Sequence, residues 1–153
     1  MSRRFLILVA ASGSLLLLLG AFVFQILGYA PCKLCIWQRW PHGLAIAMGG
    51  VGFFWPARLV AVIGGLAALL TSGIGVYHAG IEWKFWPGPT SCTGSGGGIG
   101  GLSGADLLDT SAGNFVVMCD QAAWTLMGIS MAGWNALFSF LLALIWLKAV
   151  RRG

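Results

Sequence analysis

Residues Phe5–Leu27 read FLILVAASGSLLLLLGAFVFQIL, 23 consecutive positions without a formal charge. About 20 apolar residues in a helix cross the hydrocarbon core of a bilayer. The stretch therefore predicts a membrane-spanning helix. Ser2-Arg3-Arg4-Phe5-Leu6 in front of it resembles the start of a secretory or twin-arginine signal. The run is longer than the roughly 7–15 apolar residues of a signal core, and Gly28-Tyr29-Ala30 is a poor cleavage site. A retained first span is expected.

Three further charge-free windows follow: Trp40–Ala57 with 18 residues, Leu59–Tyr77 with 19 and Ala122–Leu147 with 26. The first of these is marginal, because it holds His42, Pro41 and Pro56. Across the whole chain 58% of residues are hydrophobic and 8% charged. A soluble domain carries roughly 25% charged residues and could not hide this much apolar surface. The expected fold is an all-α membrane protein, a four-transmembrane-helix bundle in one domain over residues 1–153. Its spans are expected at about 5–28, 36–55, 59–79 and 122–147, with periplasmic loops at about 29–40 and 80–121.

Four spans put both termini on one side. That side carries Arg3, Arg4, Arg58, Lys148, Arg151 and Arg152 and no acid. The other carries Lys33, Arg39 and Lys84 with Glu82, Asp106, Asp109 and Asp120. Lys and Arg gather on the cytoplasmic side, so both termini are expected there. The net charge of +5 then reflects orientation and requires no nucleic acid.

This topology puts all four cysteines, Cys32, Cys35, Cys92 and Cys119, outside, where an oxidising compartment permits disulfides. Cys32-Lys33-Leu34-Cys35 is a C-x-x-C pair at a membrane rim. Lys33 and Arg39 beside it favour the reactive thiolate. Alone, this spacing fits redox work, half a zinc site or a structural bridge. Cys92 and Cys119 bracket a glycine-rich run, Ser95–Gly101, read as a flexible tether. Ala105–Asp109 could form one surface helical turn. A bridge between Cys92 and Cys119 would be either a staple or one station of a thiol relay, in which each step is attack by a thiolate on a disulfide sulfur. No metal is expected, because the second pair lacks close spacing. With every thiol on one face, electrons must leave sideways into a membrane-dissolved acceptor, for which a lipid quinone is suited.

Arg39 lies one helical turn after Cys35 on the same face. It is either a snorkelling boundary residue or a cation for the Cys35 thiolate and a quinone oxygen. His42 and His78 lie near the outer face. They suit interface hydrogen bonding better than a bis-histidine haem, and His78 could border a quinone pocket.

Cys32-Lys33-Leu34-Cys35-Ile36-Trp37-Gln38-Arg39 resembles the bacterial disulfide bond formation protein B family. So do Tyr77-His78, Trp86-Pro87-Gly88-Pro89-Thr90-Ser91-Cys92, Cys119-Asp120, Gly128–Ala132 and Trp134-Asn135. The resemblance covers most of the chain. It implies an inner-membrane enzyme that reoxidises a periplasmic, thioredoxin-fold dithiol oxidase (DsbA-like) and reduces ubiquinone or menaquinone. By motif position, Cys92 takes the mixed disulfide with the partner, Cys119 exchanges with Cys32, and Cys35 is freed beside the quinone near Arg39. The alternatives are a vitamin K epoxide reductase-type thiol oxidoreductase and a non-catalytic haem- or quinone-binding subunit with structural disulfides.

Overall fold

The computed structural model describes residues 1–89 and 118–152. Among them are four helices: α1 (Arg3–Ile26), α2 (Lys33–Phe54), α3 (Arg58–Glu82) and α4 (Met131–Arg151). Each packs on the next, α4 closes against α1, and α1 and α3 face each other across the diagonal with little contact. This is the up-down-up-down arrangement of a four-helix bundle. By length and composition α1, α3 and α4 can cross a membrane. The second helix, marginal in sequence, contains Pro41. Cys92, the glycine run and Ala105–Asp109 lie outside the described residues.

Side chains with oxygen or sulfur begin three helices. Ser2 Oγ accepts from Phe5 N, Cys32 Sγ from Cys35 N and Ser130 Oγ from Gly133 N, each at 3.2–3.3 Å. These caps satisfy amides that a helix start leaves unpaired. The ends of α1 and α3 use one device. Tyr29 N bonds Phe24 O and Gly28 N bonds Gln25 O, and likewise Phe85 N bonds Gly80 O and Lys84 N bonds Ile81 O. Both are Schellman closures, which need a left-handed residue just past the helix. Gly28 supplies it with φ +98°, but at the end of α3 it is Lys84 with φ +61°.

The last span differs from its expected start at 122. Two short strands, β1 (Thr125–Leu126) and β2 (Ile129–Ser130), pair antiparallel before α4 begins at Met131. Met127 and Gly128 between them have φ +54° and +77°, the pattern of a type I′ turn. Residues 122–130 are apolar enough to extend a span by composition, but Gly128 lets the chain fold back on itself instead.

The bundle is packed through small residues. At the end holding both termini, Leu6, Ile7, Ala10, Ala61, Trp146 and Ala149 form an apolar cluster. Trp146 is fully buried against Gly64, where an added Cβ would sit 2.6 Å from the indole. Large side chains such as Leu16, Trp40, Phe54 and Leu66 point outward. Small residues inside and large apolar ones outside suit helices whose surroundings are lipid. Arg3 gathers this end by donating to the backbone oxygens of Ala149, Pro56 and Arg152. Both termini and the α2–α3 turn thus lie together, as the charge count requires.

Candidate functional site

At the opposite end, the start of α2 meets the end of α3. Cys32 and Cys35 are free thiols whose sulfurs lie 2.9 Å apart, one helical turn joining the cap to the first turn of α2. Cys32 is buried and Cys35 half-buried. Buried with them are Leu34, Ile81 and Cys119, in one cluster. Cys119 is itself disulfide-bonded, and its partner lies outside the described residues. The fold therefore brings a cysteine of the second pair against the first pair, across 87 positions of sequence (119 − 32).

The Cys32 thiol is held down to about 4 from its ordinary 9.0. The main cause is the hydrogen bond donated by the Cys35 thiol. Burial opposes the charge, and His78 adds a hydrogen bond and positive character. Position at a helix N-terminus acts in the same direction. The sequence pointed to Lys33 and Arg39 for this role. The Lys33 ammonium instead lies over the Trp37 ring, 5.8 Å from its centroid. Arg39 donates to Gln25 Oε1 at 2.7 Å and stacks on Phe22 at 4.8 Å. Its Nε is buried without a partner among the described residues.

His78 sits behind the sulfurs. Its Nε2 is 3.5 Å from Cys32 Sγ and 3.7 Å from Glu82 Oε1, and its Nδ1 is 3.0 Å from Gln38 Nε2. From Gln38 the polar contacts run inward. Asn135 Nδ2 donates to Gln38 Oε1 at 2.7 Å and to Thr71 Oγ1 at 3.2 Å, and His42 Nε2 lies 2.9 Å from Asn135 Oδ1. Sequence reading missed Gln38, Glu82, Thr71 and Asn135 as a connected set. An amide in each of two spans was the available signal, since buried amides in membranes seek partners on neighbouring helices.

These groups, Thr71 excepted, line one cavity of about 410 Å³ among α1, α2, α3 and α4. Cys32, Cys35, Arg39, His42 and His78 lie on its wall, with Leu17, Phe24, Trp134 and Phe138 supplying apolar surface. That volume is within the roughly 300–1,000 Å³ usual for small-molecule sites. Outside it, Lys84 Nζ reaches Asp120 Oδ2 at 2.7 Å and Asp120 O at 2.9 Å, next to Cys119. This pair holds the Asp120 carboxyl below its ordinary range. Lys84 thus fixes the segment carrying Cys119.

Cys32, Cys35 and His78 offer ligand atoms within 4.8 Å of one another, a set that could hold a soft metal ion. The close sulfur contact and the low thiol proton affinity also suit dithiol–disulfide cycling. A buried dithiol in a bundle with three helices apolar enough to cross a membrane, and with a third cysteine packed on it, is the arrangement of a membrane thiol–disulfide oxidoreductase. The family model described as disulfide bond formation protein DsbB matches residues 3–149, and the chain belongs to that family. A Pseudomonas aeruginosa PAO1 relative, "Disulfide bond formation protein B 2", is 33% identical over 94% of this chain and 88% of its own. "Disulfide bond formation protein B" of Polaromonas sp. is 27% identical over 99% and 92%, and that of Paracidovorax citrulli 29% over 98% and 87%. No solved structure matches.

Proposed function

We propose that this chain is a quinone-dependent thiol oxidase of the bacterial inner membrane, with cytoplasmic termini and periplasmic cysteines. It reoxidises a thioredoxin-fold dithiol partner. The observation that carries the reading is the placement of the free Cys32–Cys35 pair. It lies between Cys119 on one side and an apolar, four-helix cavity on the other.

A partner thiolate attacks Cys92, breaking a Cys92–Cys119 disulfide and releasing the Cys119 thiolate. Cys119 attacks Cys32, breaking Cys32–Cys35 and releasing the Cys35 thiolate. The partner's second thiolate attacks its own sulfur in the mixed disulfide and frees Cys92. Cys92 then attacks Cys119 and releases Cys32. The partner leaves oxidised, and its two electrons reside in the Cys32–Cys35 dithiol. In that state Cys32 carries the charge and Cys35 the proton; Cys35 is the charged sulfur only while Cys32 is bonded to Cys119.

The cavity residues fit a quinone ring. The walls are largely apolar, and a buried donor on them, Arg39 Nε, lacks a hydrogen-bond partner among the described residues. Bound there, a quinone supplies a two-electron, two-proton acceptor. Arg39 would hold a ring oxygen, with Gln25 and Phe22 fixing its guanidinium. His78 donates from Nε2 to the Cys32 thiolate and keeps it directed at the cavity.

Purified protein in lipid nanodiscs with ubiquinone-1 or menadione and a reduced thioredoxin-fold oxidase tests this. Quinone absorbance is expected to fall one molecule per partner dithiol, and Cys35→Ser to abolish the loss. Absence of quinone reduction by the wild type refutes the reading.

A further inference from the structure

The polarity of the buried hydrogen bonds is fixed by one atom that cannot change role. Leu34 O is a backbone acceptor, and Gln38 Nε2 lies 3.3 Å from it. That end of the Gln38 amide is therefore its NH2, and Oε1 is the end facing Asn135 at 2.7 Å. Asn135 must present Nδ2 there, which turns its Oδ1 toward His42 Nε2 at 2.9 Å. Oδ1 accepts, so His42 Nε2 carries the ring hydrogen, and Nδ1 of the neutral ring is a bare lone pair. Thr71 agrees: its hydroxyl donates to Gln38 O at 3.1 Å and accepts from Asn135.

His42 is 3% exposed and lines the cavity, and its Nδ1 has no hydrogen-bond partner among the described residues. A buried acceptor without a donor is costly, and a ligand that brings a donor relieves that cost. An oxidised quinone offers only carbonyl oxygens, which are acceptors. The reduced ring offers hydroxyls.

We propose that His42, oriented by Asn135, is a specificity-determining residue that makes the cavity hold hydroxylated, reduced rings more tightly than oxidised ones. The inference rests on the quinone reading and adds to it a preference for the product state. His42 makes and breaks no covalent bond. A tenfold preference for the reduced ring raises the potential of the bound two-electron couple by about 30 mV, favouring withdrawal of electrons from the dithiol.

The test uses two matched ligands that take no electrons from thiols: 4-methoxy-1-naphthol, with one donor, and 1,4-dimethoxynaphthalene, with none. Binding to the detergent-solubilised protein is followed by naphthalene fluorescence. The wild type is expected to bind the naphthol about tenfold more tightly, the scale of one hydrogen bond to a buried acceptor. His42→Leu removes the preference and leaves the dimethoxy compound's affinity unchanged. Asn135→Ala frees the ring tautomer, so the preference falls several-fold; this variant carries the test should His42→Leu not fold. Equal binding of both ligands by the wild type, or a preference that survives His42→Leu, overturns the proposal. If neither ligand binds while ubiquinone-1 is still reduced, the proposal alone fails. If ubiquinone-1 reduction is also absent, the quinone reading fails with it.

Discussion

Replacing Cys35 with Ala removes the group that contributes most to lowering the Cys32 thiol, while His78 stays in place. In the wild-type dithiol, a value of about 4 leaves Cys32 charged throughout the neutral and mildly acidic range. A free thiol titrates near 8.5. The variant loses the main hydrogen bond but keeps burial, which opposes charge, so its midpoint is expected at neutral pH or above. A midpoint of about 7 already leaves only about 3% thiolate at pH 5.5. Iodoacetamide alkylation of Cys32, read by peptide mass from pH 4 to 9, measures this directly. The wild-type rate should be nearly flat down to pH 5, and the variant rate at pH 5.5 should drop by more than tenfold relative to its plateau. A wild-type rate that already titrates near pH 8, or a variant profile as flat as the wild type, refutes the assignment of charge to Cys32 through Cys35.

Three other outcomes follow from the same geometry. Gln38→Leu removes the donor to His78 Nδ1 and the acceptor for Asn135; with buried polar groups left unpaired, the protein should lose roughly 1–3 kcal/mol, read by thermal unfolding in detergent. At Lys84 two effects separate: Lys84→Ala keeps a left-handed residue without Cβ relief and loses the Asp120 pair, whereas Lys84→Gly also relieves backbone strain of about 1 kcal/mol and should be the more stable of the two in the same assay. Because the folded Asp120 carboxyl lies below its ordinary 3.8, its contribution is present above that pH and lost as pH falls through the lowered value, so the wild type and Lys84→Ala should differ in acid unfolding only above that range.

The spans were legible in the sequence because length without charge is a one-dimensional property. Phe5–Leu27, Leu59–Tyr77 and the later part of Ala122–Leu147 needed only counting, and helices cover all of them but Leu27. The start of α4 was not legible, because the ribbon at 125–130 depends on backbone angles at Met127 and Gly128 and not on hydropathy. Cys32, Cys35 and His78 were legible as residue types with known chemistry. What could not be read is rotation of the helices about their axes. Gln38, Thr71 and Asn135 come from three helices, and their meeting is a tertiary fact. Arg39 illustrates the same limit: spacing put it on the Cys35 side, and it does line that cavity, yet its guanidinium turns to Gln25 and Phe22 on a helix whose orientation no spacing rule supplies.

The cluster around Leu6, Ile7, Ala61 and Trp146 has an electrical consequence. It acts as a dry stopper beneath the polar half of the bundle. On the proposed reading, protons and electrons enter and depart above it, so the catalytic cycle displaces no charge along the bilayer normal. Each elementary charge carried across 100 mV is worth about 2.3 kcal/mol; here none is carried, and a diffusion potential imposed on sealed vesicles should leave turnover unaltered. A rate that tracks the imposed voltage would mean the stopper leaks.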